Sequence, residues 1–229
     1  GDGPAGTDTA STHPAPDVRI AIARDAAFGF YYADDLDAFA RAGAELVPFD
    51  ALRDAQLPEA DGLFIGGGFP ETRLDALAAN TSLLADIRNR LAAGMPAYAE
   101  CGGLMYLARS ISWRGMPREM VGSVPADVVV EERPQGRGYM QLEETADHPW
   151  PAAPDAGSYL IPAHEFHHAR LVDLEAGAVF AHKVLRGAGI DGQHDAVVVN
   201  RLVAGFAHHR DTASNPWVER FVSYVRDCA

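Results

Sequence analysis

Short apolar runs alternate with amphipathic helical segments through the first half of the chain. Residues 18–23, Val-Arg-Ile-Ala-Ile-Ala, form the nearly continuous apolar run of a parallel strand buried on both faces. In residues 34–42, Leu36, Phe39 and Ala40 share a helical face, and Gly43 follows as a stop. Residues 45–49 and 61–65 read as further strands, the second ending abruptly at Gly66-Gly67-Gly68. Leu83, Leu84, Ile87 and Leu91 recur at helical spacing, with Asn80 or Thr81 placed to cap the helix and Gly94 to close it. Residues 95–99 make another buried strand, Cys101-Gly102-Gly103 follow at once, and residues 102–109 read as helix. This β-α-β-α order predicts an α/β domain with an open, mostly parallel sheet and helices on both faces.

Beyond about Ser110 the pattern turns β-rich. Residues 120–130, 137–143, 164–171, 178–185 and 196–200 read as strands separated by glycine-marked turns such as Gly136, Gly177 and Gly192. Asn215-Pro216 opens a last helix with Val218, Phe221, Val222 and Val225 on its inner side. Residues 1–16 are dominated by Gly, Pro, Ala, Ser and Thr, the composition of an interdomain linker or an expression remnant. The expected division is therefore 1–16 as linker and 17–229 as one folded domain, the C-terminal part of a longer protein.

Charge narrows the partners. With 32 acidic against 19 basic residues the net charge is -13, which repels phosphate backbones and anionic membrane surfaces. No apolar stretch reaches the ~20 residues of a spanning helix. Neither nucleic acid nor membrane is an expected partner. Two cysteines, Cys101 and Cys228, cannot build a disulfide framework, and a reducing cytoplasm is the expected location.

The chemistry concentrates at Met95-Pro-Ala-Tyr-Ala-Glu-Cys-Gly-Gly-Leu104. A cysteine at a sharp strand-to-helix turn is exposed above the sheet while both elements hold its backbone, and the helix N-terminus favours a thiolate. Cys101 is the candidate nucleophile. The strands ending at Ile65 and Ala99 are joined by one helical crossover, so they run parallel, with carboxyl ends on one rim of the sheet. Gly66-Gly67-Gly68 then faces Cys101, and N–H groups of Gly67, Gly68 and Gly102 are candidate oxyanion donors. Neither G-x-G-x-x-G nor G-x-x-x-x-G-K-[ST] is present there, which argues against a nucleotide loop. His208 is the candidate base and His209 the alternative; no third triad member stands out, since position 210 is Arg. Tyr31, Tyr32 and Phe28 are candidates for lining the pocket or for the core. No residue set is assigned to a metal or a cofactor.

A second motif competes. His164-Glu165-Phe166-His167-His168 satisfies H-E-x-x-H, which holds zinc only when helical spacing puts both histidines on one face. Pro162 and the alternation of the segment favour a strand, so His164, Glu165 and His167 are read as lining a substrate site. A zinc hydrolase and a non-catalytic docking domain stand as the alternative classes.

Five stretches together resemble the glutamine amidotransferase domain of the cobyrinic acid a,c-diamide synthases and their siroheme and nickel-sirohydrochlorin amidase relatives. They are Ala23-Arg-Asp-Ala-Ala-Phe-Gly-Phe-Tyr-Tyr32, Asp61-Gly-Leu-Phe-Ile-Gly-Gly-Gly-Phe-Pro-Glu71, Tyr98-Ala-Glu-Cys-Gly-Gly-Leu-Met-Tyr106, His164-Glu-Phe-His167, and Phe206-Ala-His208 with Ser214-Asn-Pro216. The resemblance implies a class I, Rossmann-like glutaminase fold with Cys101 as nucleophile, His208 as its histidine, and Gly67, Gly68 and Gly102 in the oxyanion region. It implies glutamine as substrate and a separate N-terminal synthetase domain that binds ATP and Mg²⁺ and activates a tetrapyrrole carboxylate. Siroheme amidation is the alternative within the family, and a homodimer is compatible with it. Two positions depart from the family pattern: His168 stands where Tyr is usual, and His208-His209-Arg210 replaces His-x-His.

Overall fold

The computed structural model describes residues 15–152 and 160–229. Most of the 1–16 linker lies outside the described residues.

The first half lays down the parallel sheet. Strand β1 (Val18–Ala23) is followed by the short β2 (Phe28–Phe30), helix α1 (Ala33–Arg41) and β3 (Ala44–Phe49). Then come β4 (Gly62–Ile65), β5 (Gly67–Gly68), α2 (Leu74–Ala79), α3 (Thr81–Ala92), β6 (Ala97–Glu100) and α4 (Gly102–Leu107). Strands β3, β1, β4 and β6 pair in parallel, with Ile65 directly beside Ala99. Alternation along these strands serves two cores. Ala21, Ala23, Leu63, Ile65, Ala97 and Ala99 pack against Leu77 of α2 and Leu83, Leu84, Ile87 and Leu91 of α3. Ile20, Ile22, Phe64 and Tyr98 face the opposite way, onto Phe39 of α1 and the C-terminal helix. Each large apolar side chain buried here contributes about 1.5–3 kcal/mol, which explains why both faces of this sheet read as apolar in the sequence.

The second half adds β7 (Ala108–Trp113), β8 (Met116–Glu119), β9 (Val124–Val130), β10 (Gly136–Glu144), β11 (Leu160–His167) and β12 (Ala169–Val172). It ends with β13 (Val179–Arg186), β14 (His194–Val199), β15 (Leu202–Gly205) and α5 (Trp217–Cys228). Strand β15 inserts parallel to β6, and β14, β13, β10 and β11 continue from it in antiparallel order. The nine-stranded sheet thus runs β11-β10-β13-β14-β15-β6-β4-β1-β3, five parallel strands extended by four antiparallel ones. Strands β12, β9, β7 and β8 form a separate four-stranded sheet. On α5, Trp217, Val218, Phe221, Val222 and Val225 are buried, as their spacing predicts.

Local boundaries differ where a turn or a partner overrides pattern. The helix expected over 102–109 stops at Leu107, because Ala108 turns extended and Arg109 enters β7, where its guanidinium meets Asp127. The strand expected from 120 starts at Val124, since Gly122 takes φ 77°. Residues 164–171 divide into two strands at His168. The side chain of Asn80 does not cap α3; its amide donates instead to Ala51 O and Asp54 O at 3.0 and 2.9 Å, tying down the loop after β3.

Candidate active site

Cys101 occupies the tight turn between β6 and α4. Its backbone takes φ 48° and ψ -100°, a conformation that costs a residue bearing a Cβ about 1–3 kcal/mol. Two bonds hold it there: Cys101 N–H donates to Gly205 O at 2.7 Å, and Met105 N–H donates to Cys101 O at 3.1 Å. The turn needs its glycines. A Cβ on Gly103 would stand 2.2 Å from Ile65 O, and one on Gly102 would stand 2.9 Å from the Gly68 nitrogen. The glycine run after β4 therefore lies against the first turn of α4, where backbone N–H groups lack intrahelical partners.

His208 arrives from the far end of the chain. Asp195, fully buried, accepts the N–H groups of Phe206 and Ala207 at 3.0 and 2.9 Å and so directs the segment leaving β15. His208 then exchanges backbone hydrogen bonds with His164 on β11, at 3.1 and 2.7 Å. Its ring lines the same cavity as the Cys101 thiol, which lies 3.9 Å from Phe166 O, and packs so closely on Gly67 that a Cβ there would lie 2.5 Å from Cε1. Nδ1 lies 3.6 Å from Oε2 of Glu100. Burial works against a charged ring, but hydrogen bonds and attraction from Cys101 and Glu100 outweigh it and raise the His208 pKa from 6.5 to about 10.

Glu100 is the group that sequence reasoning missed. It is buried at 4 % exposure, and its Oε1 accepts Tyr98 OH at 2.8 Å and His209 N–H at 2.9 Å. The signal was present as the acidic residue preceding Cys101. Orthodox triad spacing directed attention downstream of His208 instead, where Arg210 reaches Asp34. His209 is not placed beside the thiol: it points to the opposite side of the sheet, stacks on His182, and burial lowers its pKa.

A cavity of about 350 Å³ opens above Cys101 and His208. Gly68, Tyr31 and Tyr32 line it, joined by Phe30, Phe69, His164 and Phe166. Phe28 does not reach it; that ring is fully buried against Tyr106 in the core. Residues 164–167 are part of strand β11, as their alternation predicts, but only alternate side chains line the cavity. His164 and Phe166 face the cavity, whereas Glu165 and His167 turn inward at 2 % and 4 % exposure. Glu165 accepts the N–H groups of Ala188 and Gly189 at 2.8 and 3.0 Å, and His167 stacks on Phe206 at 3.9 Å. Burial alone would raise the Glu165 pKa, but its bonds to His167 and these amides bring it down. Both residues brace the wall. Zinc coordination by the H-E-x-x-H residues fails on the same geometry, because positions four apart on a strand are ~13 Å apart.

With the geometry in place, comparison with known proteins decides the family. Residues 19–216 match the model of the CobB/CobQ-like glutamine amidotransferase domain. The chain belongs to the CobB/CobQ-like glutamine amidotransferases. Relatives named cobyrinate a,c-diamide synthase share this domain. One from Magnetococcus marinus is 41% identical over 210 residues, covering 92% of this chain and 44% of the relative. One from Methanosarcina acetivorans is 40% identical over 207 residues, covering 84% and 40% respectively. The chain thus spans less than half the length of these relatives. In solved structures the same fold appears in PurLQS from Thermotoga maritima, with TM-score 0.66, 14% identity and coverage of 93% of this chain and 99% of that one. It also appears in a structure described as a glutamine amidotransferase, with TM-score 0.58, 18% identity and coverage of 91% and 97%. The CobB/CobQ-like domain is accordingly an amidotransferase component with a class I α/β fold, and among the described residues no helix is long and apolar enough to cross a membrane.

Proposed function

We propose that this domain hydrolyses glutamine at Cys101 and supplies the ammonia to amidation of cobyrinate-type carboxylates. The observation that carries this reading is the Cys101–His208 pair, held in a strained elbow and backed by the buried carboxylate of Glu100.

The chemistry follows from the geometry. With Nδ1 turned to Glu100, Nε2 is the nitrogen left to meet the thiol, and the raised pKa of His208 keeps the proton on the ring. The thiolate attacks the side-chain carbonyl carbon of glutamine. Negative charge develops on the oxygen, and the N–H groups of Gly68 and Gly102 are assigned to receive it; their backbones lie against one another, with Gly67 packed on the His208 ring. The imidazolium of His208 gives its proton to the departing nitrogen, so ammonia leaves and a thioester forms. Water then attacks the thioester, His208 takes up its proton as base, and glutamate leaves as the thiolate is restored. Glu100 fixes the tautomer and supports the imidazolium, the part an aspartate plays in serine hydrolases. His164 and the aromatic walls hold the glutamine backbone end.

Ammonia requires an activated carboxylate. ATP and Mg²⁺ are assigned to the part of the relatives' length that this chain, which covers 44% and 40% of two of them, does not span. Two free cysteines suit a reducing cytoplasm. The siroheme alternative predicts amidation of a sirohydrochlorin by the same ammonia source, so offering both tetrapyrroles to the full-length enzyme separates them. The direct test is labelling with 6-diazo-5-oxonorleucine, a glutamine analogue that alkylates glutaminase cysteines. It should modify Cys101 once and spare Cys101→Ala. Equal labelling of that variant would refute the assignment.

A further inference from the structure

A second cluster of histidines lies behind the sheet from Cys101. Glu144 ends β10, paired in register with His182 on β13. The chain then turns, with His148 N–H donating to Thr145 O at 3.3 Å, which folds the His148 ring back toward both. One ligand atom from each of Glu144, His148 and His182 lies within 4.8 Å of the other two.

His182 makes this more than proximity. It is 2 % exposed, and neither of its ring nitrogens has a hydrogen-bond partner. An orphaned buried nitrogen is destabilising, and such groups in native proteins point to a water or an ion that completes them. Its neighbours offer little: the rings of His148 and His209 lie 5.3 and 5.2 Å away, centroid to centroid.

We propose that Glu144, His148 and His182 form a binding site for a divalent transition-metal ion of the zinc type. Two imidazoles and one carboxylate are a recurrent zinc donor set, with a water completing the tetrahedron. Donor atoms of such a site lie ~3.3 Å apart, so rotamer shifts of about 1 Å close this one. A neutral imidazole keeps a lone pair on one ring nitrogen, and neither nitrogen of His182 is committed to a hydrogen bond. Arg220 of α5 supports the carboxylate, with Nη1 and Nη2 on its two oxygens and Nε on Pro151 O at 2.6 Å. A hydrogen-bonded carboxylate is the usual outer shell of a metal ligand. Arg220 also opposes an added cation, so the site favours transition metals, whose bonds to imidazole are strong, over Ca²⁺ or Mg²⁺. One contact is given up: Trp150 N–H donates to Nδ1 of His148 at 3.3 Å, and ligation through Nε2 moves the ring proton to Nδ1. The ion would pin β10, β13 and the 145–150 turn together, with α5 attached through Arg220.

Cys101→Ser protein, stripped with a chelator, isolates this site from the Cys101–His208 pair. Titration with Zn²⁺ should give one ion per chain, a raised Tm, and with Co²⁺ the visible bands of a four- or five-coordinate ion. Adding His182→Leu or His148→Ala should weaken binding at least ~100-fold, more than the loss of an outer-shell partner usually does. In His182→Leu the metal-free protein should be no less stable, since an orphaned polar group is replaced by an apolar one. Cooperative unfolding of each variant confirms that it folds. Stoichiometric Zn²⁺ binding that survives both substitutions would overturn the proposal, as would failure of the parent protein to bind Zn²⁺ or Co²⁺.

Discussion

Glu100→Gln tests the active-site chemistry with little change in shape. Gln can keep Oε1 as acceptor for Tyr98 OH and His209 N–H, so the fold should survive. What changes is the second oxygen, 3.6 Å from Nδ1 of His208. At an effective dielectric of about 20, a unit charge pair at this distance is worth about 4–5 kcal/mol, up to about three pKa units. Cys101 shares in raising His208, so the expected fall is one to three units, again to order of magnitude. A Gln amide would also donate toward Nδ1 and thereby force the ring proton onto Nε2, the nitrogen that must accept from the thiol. A wrong tautomer of this kind lowers kcat by ~10⁴ in a serine protease triad. A loss of ~10²–10⁴ in kcat with KM nearly unchanged is therefore expected here. Ammonia release across a pH series, with NMR titration of the His208 ring, supplies both readouts. Wild-type kcat together with an unmoved His208 titration would show that Glu100 only fills space.

Other outcomes follow from the same coordinates. His208→Ala should lose ~10²–10⁴ in glutaminase rate, whereas His209→Ala should keep most of it; the reverse ranking would reassign the base. Gly67→Ala places a Cβ 2.5 Å from the His208 ring and should depress kcat. Gly68→Ala meets Ala27 O at 1.9 Å and should lower Tm as well; unchanged kcat and Tm in both would contradict the packing. Because the His208 pKa is raised from 6.5 to about 10, its stabilising contribution is full below about pH 6.5 and is lost as pH rises toward 10. The unfolding free energy of wild type relative to His208→Asn should accordingly shrink across that interval, and a constant difference would count against the ion pair. Supplied with ATP, Mg²⁺, glutamine and cobyrinate, this chain alone should yield no amidated product by mass spectrometry.

Elements that bury a strong periodic stripe were legible in the sequence. The strand at residues 18–23, helix α3 and helix α5 each carry enough apolar side chains for local pattern and final packing to agree. The turn that carries Cys101 was legible for a different reason, since the strand, acidic residue, thiol and two glycines are contiguous. Legibility failed where partners lie far apart in the chain. Glu100 acquires its meaning only when His208, more than a hundred residues on, is laid beside it by β15. The alternation of 164–168 correctly announced a strand, yet the number two does not say which face meets the cavity. His164 faces the cavity, while Glu165 and His167 turn to the wall. Asn80 shows the same limit on a smaller scale: a good capping residue was drawn off by the two carbonyls of a loop.

The position of β15 also bears on how the protein is made. It occupies the middle of the large sheet, between β6 and β14, although it comes last in chain order among the described strands. Until it emerges from the ribosome, β6 offers an unpaired edge to its surroundings, a template for pairing with other chains. Its pairing with β6 bridges more than a hundred residues, and contacts of such separation form slowly. Cys101 stands at the end of that same edge, with His208 still to come. Nascent chains that stop short of residue 202 should therefore depend on chaperones, and emergence of residues 202–208 both closes the sheet and brings His208 to Cys101.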